Sequence, residues 1–224
     1  MDGRPSKSLQ FCCCAALAML LASCGSIPPS RDDQQTGVAA TAARPGDAQC
    51  LAQLGATGAQ FLPLPDRYYG GECSTVNTVR LEDLAGDQGE FSLSNLGPVN
   101  CRLANEFANW ARFGVDRAAR QVLGSSLKRI ETMGSYSCRT IAGSNRISAH
   151  AKAEAIDVSA FDLADGRRIS VKTDWSSGTP EERKFLQIIH RSACKRFGTV
   201  LGPDYNSAHQ NHFHLEVTGN SYCR

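Results

Sequence analysis

Three of the five histidines crowd into His209-Gln210-Asn211-His212-Phe213-His214, and a fourth, His150, stands in Ser148-Ala149-His150-Ala151-Lys152-Ala153-Glu154-Ala155-Ile156-Asp157-Val158. Imidazole and carboxylate groups are what a catalytic zinc site takes, three from the protein with one position left for water. His150 and Asp157 reach one metal if His150 ends a loop and Asp157 lies on the strand that the loop enters. Ile156 and Val158 then face an apolar side, because side chains alternate along a strand. His212 and His214 are two residues apart and share one strand face. One of them can ligate while the other addresses the bound water. The remaining histidine, His190, lies off the apolar stripe of a predicted helix and is expected to be exposed and without function.

Those side chains need a scaffold. Leu103, Phe107 and Trp110 recur at i, i+4 and i+7, one stripe of a helix. Val115, Ala118, Ala119, Val122 and Leu123 repeat that spacing, which predicts a second helix, with Gly114 as the break between the two and Gly124 as the stop. Thr179-Pro180-Glu181-Glu182 predicts the start of a third helix, with Thr179 as N-cap, Pro180 first and Glu182 closing a capping box. Phe185, Ile188, Ile189 and Ala193 are its apolar stripe. Strands are predicted at 127–133, 155–161, 168–171, 199–201 and 213–217, and Asp165-Gly166 reads as a hairpin turn. Residues 50–100 show no clear period, though Gly70-Gly71 marks a turn and 76–81 could be strand or loop. The expected class is α+β, a small antiparallel sheet with helices packed on it.

The N-terminus reads as an address. Arg4 and Lys7 precede an apolar run from Leu9 to Leu21. At about 13 residues it is too short for a bilayer that needs about 20, and it suits the core of a signal peptide. Leu21-Ala22-Ser23-Cys24 follows, small residues before a cysteine, similar to the bacterial lipobox. Residues 1–23 are therefore expected to be a lipoprotein signal peptide and Cys24 the acylated mature N-terminus, held stably at a membrane by more than one chain. Gly25 after Cys24, in place of Asp, favours the outer membrane and a domain facing the periplasm. Residues 24–49 contain no aromatic residue and are expected to be a disordered tether. Residues 50–224 are long enough for one domain with a core.

Cys12, Cys13 and Cys14 leave with the signal, and Cys24 goes to lipid. Cys50, Cys73, Cys101, Cys138, Cys194 and Cys223 remain. An even set in an exported chain implies disulfides. Six cysteines allow 15 connectivities, and the sequence leaves the choice open; pairing neighbours would give 50–73, 101–138 and 194–223. A net charge of +2 offers no electrostatic case for nucleic acid, and a monomer is expected.

Ser148-x-His150, then Ala155 and Asp157, with His212-x-His214 far downstream, resembles the LAS-type zinc peptidases, which include D-Ala-D-Ala peptidases, murein endopeptidases and the Hedgehog domain. Gly134-Ser135-Tyr136-Ser137-Cys138-Arg139 looks like the segment that precedes the first motif there. Across almost all of 50–224 the chain is still more similar to the bacterial extensin-like C-terminal domain family. That resemblance is carried by His150-Ala151-x-Ala153-x-Ala155-Ile156-Asp157-Val158, Val200-Leu201-Gly202-Pro203-Asp204-Tyr205-Asn206 and His212-Phe213-His214-Leu215. The chain has no Ser-Pro repeat of the plant wall glycoproteins. The resemblance implies one Zn²⁺ per domain held by His150, Asp157 and His214, with His212 activating the water and His209 as a second helper. Arg139 would bind a substrate carboxylate, with Arg146 as competitor. The implied activity is cleavage of peptide bonds of peptidoglycan; the alternative is an inactive zinc-holding or wall-binding module. Two positions depart from the peptidase motif: Ala153 replaces its Gly, and Asn211 stands where many members carry a Glu base.

Overall fold

The computed structural model describes residues 45–219 and 221–224. The expected signal peptide, Cys24 and most of the tether lie outside the described residues. The chain enters through α1 (Pro45–Ala56), so helix begins inside the stretch expected as tether. Leu54 is fully buried, and Cys50 is bonded to Cys101, which ties this helix to the domain.

Six short strands follow: β1 (Gln60–Pro63), β2 (Arg67–Gly70), β3 (Cys73–Thr75), β4 (Thr78–Ala85), β5 (Glu90–Ser94) and β6 (Val99–Asn100). Most are two to five residues long, too short for alternation to stand out in sequence, which is why 50–100 shows no period. β2 and β3 form a separate hairpin about the Gly70-Gly71 turn.

Next comes a single helical run, α2 (residues 101–123). It is α-helical over Cys101–Asn109 and winds on through wider π turns at Trp110–Asp116 and Ala119–Leu123. Gly114 does not break it. A β-carbon at Gly114 would lie 2.6 Å from Ser192 Oγ and 3.0 Å from Trp110 Cδ1, so glycine is there to let a second helix approach. Gly124, with φ +70°, ends the run as expected.

The remaining elements are β7 (Leu127–Gly134), β8 (Ala155–Leu163), β9 (Arg168–Ser170), α3 (Val171–Ser177), α4 (Pro180–Cys194), β10 (Thr199–Leu201), β11 (Phe213–Glu216) and β12 (Tyr222–Cys223). α4 opens on the predicted capping box: Glu182 N donates to Thr179 Oγ1 at 3.2 Å and Thr179 N to Glu182 Oε2 at 2.7 Å. Its buried face carries Phe185, Leu186, Ile189 and Ala193.

The strands assemble into one ten-stranded sheet ordered β1-β4-β5-β7-β8-β11-β10-β12, with β6 added beside β4 and β9 beside β8. The expectation of a small antiparallel sheet is overturned. The sheet is mixed, with β5–β7 and β10–β12 parallel. α2 lies between β5 and β7 in sequence and makes the crossover that a parallel pair requires. Trp110 is fully buried and donates Nε1–H to Ile189 O at 3.0 Å. Its ring meets Phe107, Phe161 and Phe197, so α2, α4 and the sheet share this side chain. Removing such a ring costs about 3–5 kcal/mol.

All six cysteines of the domain are in disulfides, as expected, and of the pairings between sequence neighbours only 194–223 is present. The bonds are Cys50–Cys101, Cys73–Cys138 and Cys194–Cys223. α1 packs against the start of α2, and the β2–β3 hairpin lies beside the segment after β7, so proximity in space differs from proximity in sequence. Among the described residues no helix is long and apolar enough to cross a membrane.

Candidate metal centre

The central strand β8 carries Asp157. On one side its Cα partner is Gly134 of β7, on the other His214 of β11. Directly opposed residues on paired strands share a face, so Asp157 and His214 meet while Ile156, Val158, Phe213 and Leu215 fill the core. His150 arrives from the loop ahead of β8. Ser148 caps a tight turn, Ala149–Lys152, by accepting from His150 N at 3.3 Å. Ala153 then takes a left-handed conformation, φ +55°, that swings the chain into β8. Ser137 N donates to His150 O at 3.1 Å, which pins the turn against the segment after β7.

The three side chains converge. Asp157 Oδ1 lies 2.9 Å from His214 Nδ1, and Asp157 Oδ2 lies 3.3 Å from His150 Nε2. The two facing ring nitrogens, His150 Nε2 and His214 Nδ1, are 3.2 Å apart. Their outer nitrogens are occupied: His150 Nδ1 is 3.1 Å from Ser135 O, and His214 Nε2 is 3.3 Å from Glu216 Oε2. A carbonyl and a carboxylate only accept, so both outer nitrogens carry the protons. Two inward lone pairs then face each other beside a carboxylate, an arrangement that calls for a cation or a shared proton between them. The ligand atoms of His150, Asp157 and His214 all lie within 4.8 Å of one another, so this group could hold a metal ion. Outer partners that set ring orientation are a regular feature of such sites.

Without a metal the charges balance in another way. Burial opposes ionisation of Asp157, but the hydrogen bonds of His150 and His214 overcome it and hold the carboxyl well below its usual range. Burial likewise disfavours charge on His214, and Asp157 and Glu216 outweigh it, raising this imidazole to about 9. Glu216 is pushed up by burial and brought down further by hydrogen bonds from His214 and Thr218.

His212 is buried beside the trio. Its Nδ1 is 2.8 Å from Asn211 Oδ1, and its Nε2 is 3.5 Å from Asp157 Oδ1. Burial, together with the charges of His214, His150 and Arg139, lowers its pKa against the pull of Asp157. His209 meets the rings of His212 (tilted) and His214 (edge-on) with centres 5.2 and 5.9 Å away, and its Nδ1 is held by Asn206 Oδ1 at 2.7 Å. Burial and the neighbouring imidazoles bring it down to about 4. Arg139 is exposed and forms no ion pair with a described residue, yet its charge is felt at both His209 and His212. Arg146 is exposed too.

His190 departs from expectation. It is half-buried, its ring packed 5.6 Å from Trp175 and 5.2 Å from Phe213, with Nε2 buried and unpartnered. It also meets Cys194 and Cys223, but these sulfurs are bonded to each other and have no thiolate to offer. Ser135 and Glu216 were missed by sequence reasoning. Glu216 stands two residues past His214, so alternation could have found it. Ser135 acts through its backbone carbonyl, which no residue type announces.

These features define the class: an α+β domain on a mixed sheet, braced by three disulfides, with a His-Asp-His group able to hold a metal. The chain belongs to the family described as Extensin-like protein C-terminus, whose model matches residues 48–224. Comparison with curated proteins and with solved structures returned no match.

Proposed function

We propose that the chain is a zinc-dependent hydrolase of the bacterial cell envelope, cleaving peptide bonds of peptidoglycan and anchored through lipid on Cys24. The observation that carries this reading is the convergence of His150, Asp157 and His214 with both outer ring nitrogens occupied. Two imidazoles and a carboxylate suit zinc and leave it an open position. The likeness to the LAS-type peptidases gains support at Ala153, where their motif carries glycine. The left-handed backbone at Ala153 is the conformation that glycine adopts most readily.

Bound there, zinc would supply a Lewis acid for the scissile carbonyl and lower the pKa of a coordinated water. The chain's own residues do the rest. Asn211 Oδ1 accepts a hydrogen bond from His212 Nδ1–H, which leaves the lone pair on Nε2, on the Asp157 side. With its pKa lowered, His212 is neutral at pH 7 and able to accept a proton as general base. His209 lies against it, ring centres 5.2 Å apart. Arg139, exposed and without an ion pair among the described residues, offers a planar fork to a substrate carboxylate.

One observation favours a second reading. The position three before His214 is Asn211, an amide that cannot serve as a base. A domain that relied on that position would hold zinc and bind wall without turning it over. The two readings part on one comparison. The exported full chain should carry about one zinc ion, lost on His150→Ala. His212→Ala should retain the zinc and lose release of peptide fragments from purified wall. Zinc without product in the wild type would leave the binding module, and a folded wild type that takes up no zinc would sink both.

A further inference from the structure

His209 reaches the site from the loop between β10 and β11, in the single turn Ser207–His209. Asn206 caps that turn. Its Oδ1 accepts from Ala208 N at 3.0 Å and stands 2.7 Å from His209 Nδ1, while its backbone oxygen accepts from His209 N at 3.1 Å. A backbone N–H can only donate, so the atom facing Ala208 N is the amide oxygen and not its nitrogen. That oxygen can only accept, so His209 Nδ1 carries the proton. The lone pair is left on Nε2.

The loop is fastened before and after the turn. Trp175 Nε1–H donates to Asp204 Oδ1 at 3.0 Å, Tyr205 N to Gly202 O at 3.0 Å, and His212 N to His209 O at 3.5 Å. Three rings bound His209: Tyr205 at 5.4 Å, His212 at 5.2 Å and His214 at 5.9 Å. Its Nε2 bonds no described residue and is not sealed in the interior. Capping alone does not account for Asn206, since the bond from Ala208 N already satisfies the cap. The second bond, to Nδ1, fixes a tautomer.

We infer that Asn206 is a positioning residue: it holds His209 with the proton on Nδ1, so that Nε2 accepts a hydrogen bond from a backbone N–H of the peptide substrate. His212 is the imidazole that faces the metal group, its Nε2 3.5 Å from Asp157 Oδ1. His209 makes no hydrogen bond or ion pair with His150, Asp157 or His214 and stands one ring further out. A peptide lying across the site carries a backbone N–H at every residue, about 3.5 Å apart, and each one taken out of water needs an acceptor. That the peptide comes from the wall rests on the hydrolase reading above; the tautomer does not.

The test uses the full exported chain, purified in detergent and labelled with ¹⁵N at histidine only, so that five imidazoles report. A long-range proton–nitrogen spectrum at neutral pH should show His209 as Nδ1–H, against the Nε2–H form that a free imidazole prefers. Adding an N-acetyl peptide ending in D-alanyl-D-alanine to the zinc-free wild type should move the Nε2 resonance towards that of a hydrogen-bonded nitrogen, a reading that needs no variant to fold. Asn206→Asp should keep both acceptor bonds and bind the peptide like the wild type. Asn206→Ser keeps a cap, but its hydroxyl donates as well as accepts. There the Nε2–H form should appear and peptide binding should weaken about three- to tenfold, the worth of one neutral hydrogen bond. A wild-type His209 protonated on Nε2 would overturn the inference, as would a peptide that leaves Nε2 unmoved. So would a serine variant at wild-type affinity, or an aspartate variant as weak as the serine one. Bound peptide with neither zinc nor product would sink the hydrolase reading alone; zinc and product with Nε2 unmoved would sink only this inference.

Discussion

Glu216 Oε2 lies 3.3 Å from His214 Nε2, on the side of the ring away from Asp157. That carboxylate turns the inner nitrogen of His214 towards His150 and raises its basicity. A neutral amide keeps the shape but weakens both effects. Glu216→Gln should therefore fold normally and bind metal about 10–100-fold more weakly, read by competition with a coloured chelator. Equal affinity in the variant would mean that packing alone holds the ring.

Away from the site, Asp87 gathers three arginines of α2: Arg117 at 2.6 Å, Arg112 at 2.8 Å and Arg120 at 3.0 Å. Hydrogen bonds from Arg117 and Arg112 hold its carboxyl far below the ordinary 3.8. A depressed folded pKa contributes stability above the unfolded value that is lost as pH falls towards the folded one. Melting temperature should thus drop below about pH 4, and Asp87→Asn, already without that contribution, should drop less. Salt should shrink the difference, because the cluster is exposed to solvent.

Much of this was legible in the sequence where a pattern is local. The capping box at Thr179, the Asp165-Gly166 hairpin and the faces of β8 and β11 each follow from a few adjacent residues, and the structure has them. The same alternation that buries Ile156 and Val158 brings Asp157 to His214. What could not be read is what two distant segments decide together. The parallel β5–β7 pair depends on α2 as a crossover, and the partners of Cys50 and Cys73 depend on where α1 and the β2–β3 hairpin dock. His190 lies off its helix's apolar stripe, but Trp175 and Phe213 arrive from other elements and cover it. Gly114 resembled a break because glycine is a poor helix former; its use as a contact point is set by Ser192 of α4.

That contact can be measured. Gly114→Ala places a methyl against Ser192 Oγ and the Trp110 ring. Overpacking of this kind costs about 1–3 kcal/mol, which denaturant unfolding will resolve. Ser192→Ala in the same chain should recover part of the loss by removing the nearest atom. If the double variant is no better, the clash lies with Trp110.

The Cys73–Cys138 bond joins the β2–β3 hairpin to the segment that supplies Ser135 O to His150 and carries Arg139. Its partners are 65 residues apart, a loop whose closure stabilises the fold by about 4 kcal/mol in the chain-entropy model. Ser135 is also held by Pro98, whose carbonyl accepts from its hydroxyl at 2.7 Å, and Ser137 N by His150 O, so the segment keeps ties without the disulfide. Replacing both cysteines by serine should therefore lower the melting temperature but leave a folded domain. Metal affinity should fall with it, since His150 loses part of the support that keeps Nε2 turned inward. Replacing Cys194 and Cys223 in the same way, on the far edge of the sheet, should lower stability while changing metal affinity much less. Chelator competition on the two double variants decides the matter: equal losses of affinity would show a general effect of destabilisation, with no special part for the hairpin clamp.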